Sequence, residues 1–380
     1  MSQSGASWVA VCAGALDVSE HDFGSAVEGG VLVTPLVPGE PLLLHGVGEA
    51  LWRRLVDGTV PDSQLTQDER DTIGEMEAMG LASADPGHRS RITRLDPPWM
   101  LSPLHELVYA LLAHVAAQNS IEILFIKGPT LHAQGLRERA HSGDVDCWVQ
   151  PREDLRLARA MQEWGWTPAL SPLSGTDVLH SLTLRAGAWG SAIDVHSWFP
   201  GMAMEASAAF ALVKETTEDR SFAGISGRTP GRALHAVISA LHEVRPFQGR
   251  SASHAQIDAA AATLTRGGRG AADAARLAHA EYALLAPLRK AYPDRRLDES
   301  TLPVPKDWAW RLSSSPIRAY VEALKLIPAA ARPRVIFRIL WPTAESLHAG
   351  PSSDGVSTTR RIRLRRVVQG WKLLRRKSRS

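Results

Sequence analysis

The chain has 380 residues, of which 44% are hydrophobic and 22% are charged, the balance of a globular protein rather than a disordered one. At roughly 150 residues per domain, this length predicts about two to three domains with cores that need no disulfides. Two cysteines are too few for a disulfide framework or a zinc cluster. No apolar run approaches the ~20 residues of a membrane span, and no basic residue precedes Arg53, as a signal peptide would require. We therefore expect a cytoplasmic protein.

The positive charge is concentrated at the C terminus. Residues 351–380 hold ten Lys and Arg against one acid, which leaves 33 basic and 39 acidic residues, a net charge of −6, in the rest. An acidic body is not typical of a nucleic-acid-binding core. Apolar residues recur among the cations at helical spacing, which predicts a basic amphipathic helix: Ile362, Val367, Trp371 and Leu374. Such a helix could dock on an anionic membrane, making the protein peripheral there, bind RNA, or lie on an acidic face of its own chain.

A small β-plus-helix unit is predicted near the N terminus. Short apolar runs broken by Pro and Gly predict a hairpin over residues 30–45. Two helices follow. The first carries Trp52 on its apolar face, and the second ends at Gly80, a residue suited to a left-handed C-cap. Three prolines in residues 83–100 predict a linker.

The rest of the chain alternates helix and strand before becoming helical. After a helix over 101–118, strands are predicted at 121–126 and 144–149, and a hairpin spans 179–198. Beyond residue 205 the pattern is almost entirely helical. This order predicts an α/β (α+β) fold with a small mixed sheet. The expected divisions are an N-terminal segment 1–29, a small domain 30–82, a linker 83–100, a core 101–204, a helical region 205–345 and a basic tail 346–380.

Acidic side chains fall on two of the predicted strands with a spacing of two residues. Asp144 and Asp146 therefore point the same way from one strand, and Asp194 and His196 do so from the hairpin. If the hairpin pairs beside the first strand, three carboxylates come together. Like charges at such distances repel unless a cation lies between them. Mg²⁺ suits this role, because it takes a few carboxylates and completes its shell with waters and phosphates.

Three carboxylates can hold two metal ions about 3.5–4 Å apart, the arrangement used in phosphoryl and nucleotidyl transfer. An Asp-x-Asp pair alone is a weak signal, since such pairs also cap helices and line turns. The strand placement and the third acid strengthen it. Lys127-Gly128-Pro129 stands where a strand meets a helix, and backbone N–H groups at such a junction favour a phosphate. The alternative for Lys127 is an ordinary surface lysine.

These motifs together resemble a bacterial family of uncharacterised nucleotidyltransferases within the DNA polymerase β-like nucleotidyltransferase superfamily. The resemblance covers roughly residues 101–378, and its motifs are Ile126-Lys-Gly-Pro129, Ser142-Gly-Asp-Val-Asp146, Glu163-Trp-Gly-Trp166, His180-Ser-Leu and Ile193-Asp-Val-His196. It implies a Mg²⁺- or Mn²⁺-dependent enzyme that uses an NTP as substrate. The acceptor would be a hydroxyl of a peptide or small molecule.

The resemblance also implies roles for individual residues. It makes Asp144, Asp146 and Asp194 the catalytic metal ligands. Nucleotide contacts are implied for Lys127, Gly128, Ser142 and Gly143, and supporting roles for Arg139, His180, His196 and His242, with a looser match at Asp258. His180 and His196 could equally be satisfied core histidines.

The N-terminal unit resembles, more faintly, the PqqD-like peptide-recognition domains. The matching features are two short strands, a helix with Trp52 facing inward, Asp57-Gly58, and a last helix ending Met79-Gly-Leu81. This implies recruitment of a precursor peptide by strand addition, and hence peptide modification in natural-product tailoring. An unrelated small winged-helix-like domain is the alternative.

Two classes of function remain open at the level of sequence. The first is the metal-dependent nucleotidyltransferase, and the second is an idle scaffold of the same fold that binds a peptide or nucleotide. The three acids favour the enzyme, because a scaffold has no need to keep repelling charges together.

Overall fold

A computed structural model of the protein describes residues 6–21, 29–140, 143–247 and 249–341. The fold is α+β, as the sequence predicts, with small sheets and helices distributed along the whole described chain. Ser142 and the predicted basic tail lie outside the described residues. Across those ranges, no helix is both long and apolar enough to cross a membrane.

The N-terminal unit contains two three-stranded antiparallel sheets and two helices. Its elements are β1 (Ser7–Ala10), β2 (Ala15–Asp17), β3 (Val31–Val33), β4 (Leu42–Leu44), α1 (Gly46–Asp57), β5 (Val60–Pro61), α2 (Gln67–Met79) and β6 (Ala82–Ser83). The strand orders are β5-β1-β6 and β2-β3-β4. The predicted hairpin and both helices are present, and Gly80 caps α2 at a φ of 73°. Strands β1 and β2 come from the stretch that the sequence assigned to a separate N-terminal segment.

The stretch predicted as a linker is packed against both neighbouring units. The amide of Ile92 donates to the carbonyl of Ala10 at 3.0 Å, and Ile92 itself is buried. Farther along, Glu106 accepts hydrogen bonds from the amides of Trp99 at 3.0 Å and Met100 at 3.2 Å. The other oxygen of Glu106 accepts from the amide of Ala223 at 3.1 Å. One buried carboxylate thus ties this stretch to a distant turn of the chain.

The central unit is a five-stranded mixed sheet with order β7-β8-β11-β10-β9. Its elements are α3 (Pro103–Gln118), β7 (Ile123–Phe125), α4 (Gly128–Ala133), β8 (Asp144–Val149), α5 (Asp154–Gln162), β9 (Thr167–Pro168), β10 (Ser181–Arg185) and β11 (Ala192–His196). Strands β8 and β11 are parallel, and the other neighbours are antiparallel. Helix α3 is buried along most of its length because it is apolar on nearly every side.

The two faces of β8 enter different cores, which fixes where its polar side chains can lie. Val145, Cys147 and Val149 pack into the core that contains α3. Trp148, on the opposite face, packs with Phe199 in a second core built from the C-terminal helices. The alternation of a strand therefore places Asp144 and Asp146 on the face of Trp148, as the sequence predicts.

In the part of the chain that the structure describes, the C-terminal region is helical apart from one hairpin. Its elements are α6 (Ala206–Lys214), β12 (Thr217–Phe222), β13 (Ile225–Pro230), α7 (Arg232–Val244), α8 (His254–Arg266), α9 (Gly270–Leu277), α10 (Leu285–Ala291), α11 (Trp308–Arg311), α12 (Pro316–Lys325) and α13 (Arg332–Leu340). The sequence analysis missed this hairpin, because β12 is mostly polar. Its two-residue loop is Ala223-Gly224, with φ of 46° and 81°, the left-handed pair that a tight hairpin turn requires.

We predict that Glu106→Leu lowers the free energy of unfolding by ~3 kcal/mol or more, because three backbone amides lose their buried acceptor. Urea unfolding followed by circular dichroism measures the loss. The control is Glu75→Leu, which removes an exposed carboxylate from α2 and should change the free energy by less than ~0.5 kcal/mol. Equal effects of the two substitutions would contradict a structural role for Glu106.

Candidate functional site

Parallel pairing of β8 and β11 brings the predicted acids to one place. In the register of these strands, Asp194 stands opposite Asp146, and Ala192 stands opposite Asp144. Side chains directly opposite each other on neighbouring strands share a face and lie close together. The sequence-based expectation that the hairpin pairs beside β8 is therefore confirmed, and two carboxylates meet in the middle of the sheet.

A third ligand atom at this point comes from a histidine. Asp146, Asp194 and His196 each offer one metal-ligand atom, and these three atoms all lie within 4.8 Å of one another. His196 Nε2 is 2.9 Å from Asp146 Oδ1, and both side chains are buried. Asp194 is half-buried and accepts a hydrogen bond from the Thr183 hydroxyl at 2.5 Å. The three side chains could hold one metal ion.

Lys127 supplies the positive charge in this group. Its Nζ donates to Asp146 Oδ1 at 2.5 Å and lies 5.8 Å from the centre of the Phe199 ring. Burial alone would raise the pKa of the Asp146 carboxyl, but the hydrogen bond with His196 and the charge of Lys127 hold it below its ordinary value. Asp146 is therefore ionised, and its charge is balanced within the protein.

The backbone of Lys127 is held in a conformation that residues with a side chain rarely adopt. Its φ of 61° and ψ of −152° fall in a region used almost only by glycine. The Lys127 amide donates to His235 Nε2 at 2.8 Å, and His235 Nδ1 is 2.6 Å from Gln134 Oε1. Because Nε2 accepts, Nδ1 must carry the proton. Burial lowers the pKa of His235 to about 3, so the ring is neutral and can accept.

These contacts differ from the phosphate-binding geometry expected for this junction. The Lys127 amide is used by His235, and the Lys127 side chain is used by Asp146. Helix α4, which begins at Gly128, has only six residues, so its dipole is small. In the structure, Lys127 is a buried partner of a carboxylate rather than a surface lysine.

Two arginines meet His180 beside the carboxylates. The rings of His180 and His196 are 5.6 Å apart. Arg245 Nη1 lies 2.7 Å from His180 Nε2, and Arg311 Nη2 lies 3.5 Å from His180 Nδ1. Arg311 also forms a buried ion pair with Asp307 at 2.7 Å. Burial first, and then the charge of these neighbours, holds the pKa of His180 well below its ordinary value.

The three-residue ligand group does not include the other predicted acids and histidines. Asp144 is half-buried at the start of β8 and is not one of the three clustered ligands. Gly143 and Arg139 are exposed before that strand. His242 is exposed on α7, and its pKa is lowered by the surrounding protein and by the charges of Lys127 and Arg245. Asp258 is exposed on α8 and pairs with Lys290 at 2.6 Å, and Ser142 lies outside the described residues.

Of the residues that α7 and its C-terminal end bring to the site, the sequence predicts His242 but not His235 or Arg245. His235 and His242 are seven residues apart, two helical turns, and so lie on one face of α7. Arg245 follows three residues later. This spacing was a usable signal, but nothing local shows that this face of α7 turns toward the strand-to-helix junction at Lys127.

A cavity of about 930 Å³ lies next to the site. Ser197 and Phe199, which directly follow β11, are part of its wall. Phe199 stacks on the His196 ring with centroids 5.6 Å apart, so this side chain contacts both the cavity and the buried ligand group. The remaining wall includes apolar side chains, such as Met202, and charged ones, such as Arg152 and Lys306.

The donor set is compatible with a divalent cation. Two carboxylates suit Mg²⁺ or Mn²⁺, and a directly bound imidazole shifts the preference toward Mn²⁺ or Zn²⁺. His196 Nε2 is engaged with Asp146, and within the described chain its Nδ1 is buried without a hydrogen-bond partner. His196 is thus either an orienting partner of Asp146 or a ligand in its own right.

No family model matches the chain, and no curated protein matches it. Among solved structures, one similar chain is a tRNA nucleotidyltransferase whose crystal structure contains a primer tRNA and an incoming ATP analogue. The identity is 12%, the TM-score is 0.20, and the match covers 70% of this chain and 99% of that one. Similarity at this level carries no argument about fold or function.

We predict that Lys127→Met lowers the free energy of unfolding at pH 7 by ~3–5 kcal/mol, because it leaves the buried Asp146 charge without its cation. Urea unfolding measures this loss. Lys214→Met, which breaks a half-exposed pair with Glu122, should cost no more than ~1 kcal/mol.

The loss in free energy of unfolding caused by Lys127→Met should also depend on pH. The pKa of Asp146 is depressed in the folded wild type, so its contribution is present above the ordinary carboxyl pKa of ~3.9 and is lost as the pH falls below it. The gap between wild type and Lys127→Met should therefore narrow as the pH falls below ~3.9. A gap that stays constant from pH 7 downward would contradict the charge-pair account.

Proposed function

We propose that the protein is a metal-dependent nucleotidyltransferase, which transfers a nucleotidyl or related phosphoryl group from an NTP to a hydroxyl. The observation that supports this proposal is the in-register meeting of Asp146 and Asp194 on parallel strands, with His196 completing a group whose ligand atoms lie within 4.8 Å. A divalent ion bound there would neutralise charge on the phosphates and stabilise the attacking and leaving oxygens.

Each residue of the group has a distinct part in this proposal. Asp146 and Asp194 hold the ion. Asp144, two residues earlier on the same face of β8, is the third carboxylate on the side where the substrate enters. His196 orients Asp146 through the bond at 2.9 Å. A cation that binds Asp146 must compete with Lys127, and the displaced ammonium is then free to pair with a phosphate.

The acceptor is proposed to be a peptide or small molecule that enters through the neighbouring cavity. The wall of that cavity combines Trp198, Phe199 and Met202 with charged side chains, a composition that is common where small molecules bind. We also propose that the N-terminal unit recruits a peptide by strand addition. Strand β4 is half-buried and is an edge strand of its described sheet. Because only one of its sides pairs with β3, the other side could pair with a peptide strand.

The second candidate function is a nucleotide- or peptide-binding scaffold without catalysis. One observation favours it: Lys127 already balances Asp146 at 2.5 Å, so the buried acids do not by themselves require a metal ion. Lys127 is an internal cation that relieves part of the repulsion expected from the sequence. A measurement of metal binding therefore distinguishes the enzyme from the scaffold.

We predict that the wild type binds Mn²⁺ and that Asp194→Asn weakens this binding by at least ~10-fold, since it removes one of two carboxylate ligands. Isothermal calorimetry measures the affinity. The control, Asp258→Asn, removes an exposed acid on α8 that pairs with Lys290 and should leave Mn²⁺ binding unchanged.

The same proteins should then be incubated with each labelled NTP and a set of hydroxyl acceptors. Nucleotidyl transfer by the wild type that requires the divalent ion and is lost in Asp194→Asn would support the enzyme. Wild-type protein that binds nucleotide with no affinity for Mn²⁺ would support the scaffold instead.

A further inference from the structure

An unusual contact near the carboxylate group involves three side chains that can all act as donors. Arg245 and Arg311 approach the two ring nitrogens of His180, at 2.7 Å and 3.5 Å respectively. A neutral imidazole has one acceptor nitrogen, and a protonated one has none. A guanidinium has no acceptor at all. His180 can therefore satisfy at most one of the two arginines, and the shorter distance assigns that bond to Arg245.

The two arginines differ in their charge partners. Arg311 is paired with Asp307, through Nε and Oδ2 at 2.7 Å, and is buried. Arg245 is half-buried, and among the described residues no carboxylate lies within 4 Å of its guanidinium. Its hydrogen bond to His180 uses one of five N–H donors. Burial lowers the pKa of Arg245, and the charges of Asp146, Asp194 and Asp307 oppose this shift. Within the described residues Arg245 thus has no close ion-pair partner, and its bond to His180 leaves most of its N–H donors for another ligand.

Arg245 is connected to the carboxylates through two neighbouring histidines. His180, which Arg245 contacts, lies with its ring 5.6 Å from that of His196, and His196 bonds to Asp146. An anion that bridges the carboxylate-bound ion and Arg245 would be neutralised from both sides. Phosphates are bound in this way by metal ions and arginine together, because the guanidinium fork matches phosphate oxygens.

In the structure, Lys127 is already engaged by protein groups. The Lys127 side chain pairs with Asp146, and its amide donates to His235. Of Lys127, Arg311 and Arg245, only Arg245 has no carboxylate within 4 Å in the described chain. Arg245 therefore adds a phosphate contact to those that the sequence predicts for Lys127 and Gly128.

We propose that Arg245 is the polyphosphate-binding residue of this site, with His180 as the positioning residue that fixes one edge of its guanidinium and leaves the remaining donors for phosphate oxygens. The ligand class is the polyphosphate chain of a nucleoside triphosphate, and this part of the proposal rests on the proposed nucleotidyl transfer. The anion site itself follows from Arg245 and does not depend on that activity.

Inorganic triphosphate is the probe, and calorimetry on the full chain, with and without Mn²⁺, measures its binding. The expected result is that Arg245→Gln weakens binding by at least ~10-fold, the effect of losing charge-assisted hydrogen bonds. Arg245→Lys keeps the positive charge but lacks the forked guanidinium, so its affinity for triphosphate should lie between those of wild type and Arg245→Gln. The control is Arg276→Gln, which removes an exposed arginine from α9 and should leave the affinity within ~2-fold of wild type.

Several outcomes would overturn the proposal. One is equal affinity of wild type and Arg245→Gln, and another is an equal loss in Arg276→Gln, which would indicate general attraction to the charged surface. Thermal unfolding shows whether Arg245→Gln folds. If it does not, Arg245→Lys is compared with wild type. The same triphosphate affinity in both proteins, with the same dependence on pH and salt, would count against specific recognition by the guanidinium.

The Mn²⁺ titration separates this proposal from the proposed function. Wild type that binds Mn²⁺ but no triphosphate refutes the role of Arg245 and leaves the metal site standing. Triphosphate binding that requires Arg245 in a protein with no affinity for Mn²⁺ supports the anion site and refutes the metal-dependent enzyme.

Discussion

The parallel pairing of β8 and β11 is the constraint on which the rest of the site depends. This pairing sets Asp194 opposite Asp146 and places His196 within reach of the same carboxylate. A register shift of one residue would turn the polar side chains of β11 toward the core that contains α3, since alternate residues face opposite sides. Val145 and Val195 on that opposite face are fully buried, so apolar packing selects the register that brings the acids together.

Bringing acids together in a buried place requires compensating charge, and the molecule supplies it from distant parts of the chain. Lys127 reaches Asp146 across 19 residues of sequence, and its unusual backbone is held by His235, 108 residues away. Arg245 reaches His180 across 65 residues. Helix α7 and the residue after it therefore hold Lys127 and His180, which lie beside the carboxylates.

The sequence predicted the parts of the site that depend on local periodicity. The two-residue spacing of Asp144 and Asp146, and of Asp194 and His196, placed these residues on strand faces, and the structure confirms both strands. It did not predict which three ligands would cluster, because their separation depends on the stagger between strands. The clustered ligands in the structure are Asp146, Asp194 and His196, whereas the sequence predicts Asp144 with the two aspartates.

Long-range contacts account for the other features of the structure that the sequence did not predict. The sequence predicts either a phosphate ligand or a surface residue at Lys127. Its burial against Asp146 depends on the fold of α7, which begins about a hundred residues later. The hairpin of β12 and β13 was missed because its strands are polar, and its tight turn of Ala223-Gly224 was the only local signal. Its contribution to the core comes mainly from Phe222, which stacks on Tyr109 with ring centroids 4.9 Å apart.

Asp146 and Asp194 are proposed to form a cation site for which Lys127 is the internal competitor. Anomalous diffraction from crystals grown with Mn²⁺ tests it most directly. The account predicts an anomalous peak within coordination distance of both carboxylates, with Lys127 Nζ moved away from Asp146. Density in which Lys127 remains on Asp146, with no peak between the two strands at saturating Mn²⁺, would contradict the account.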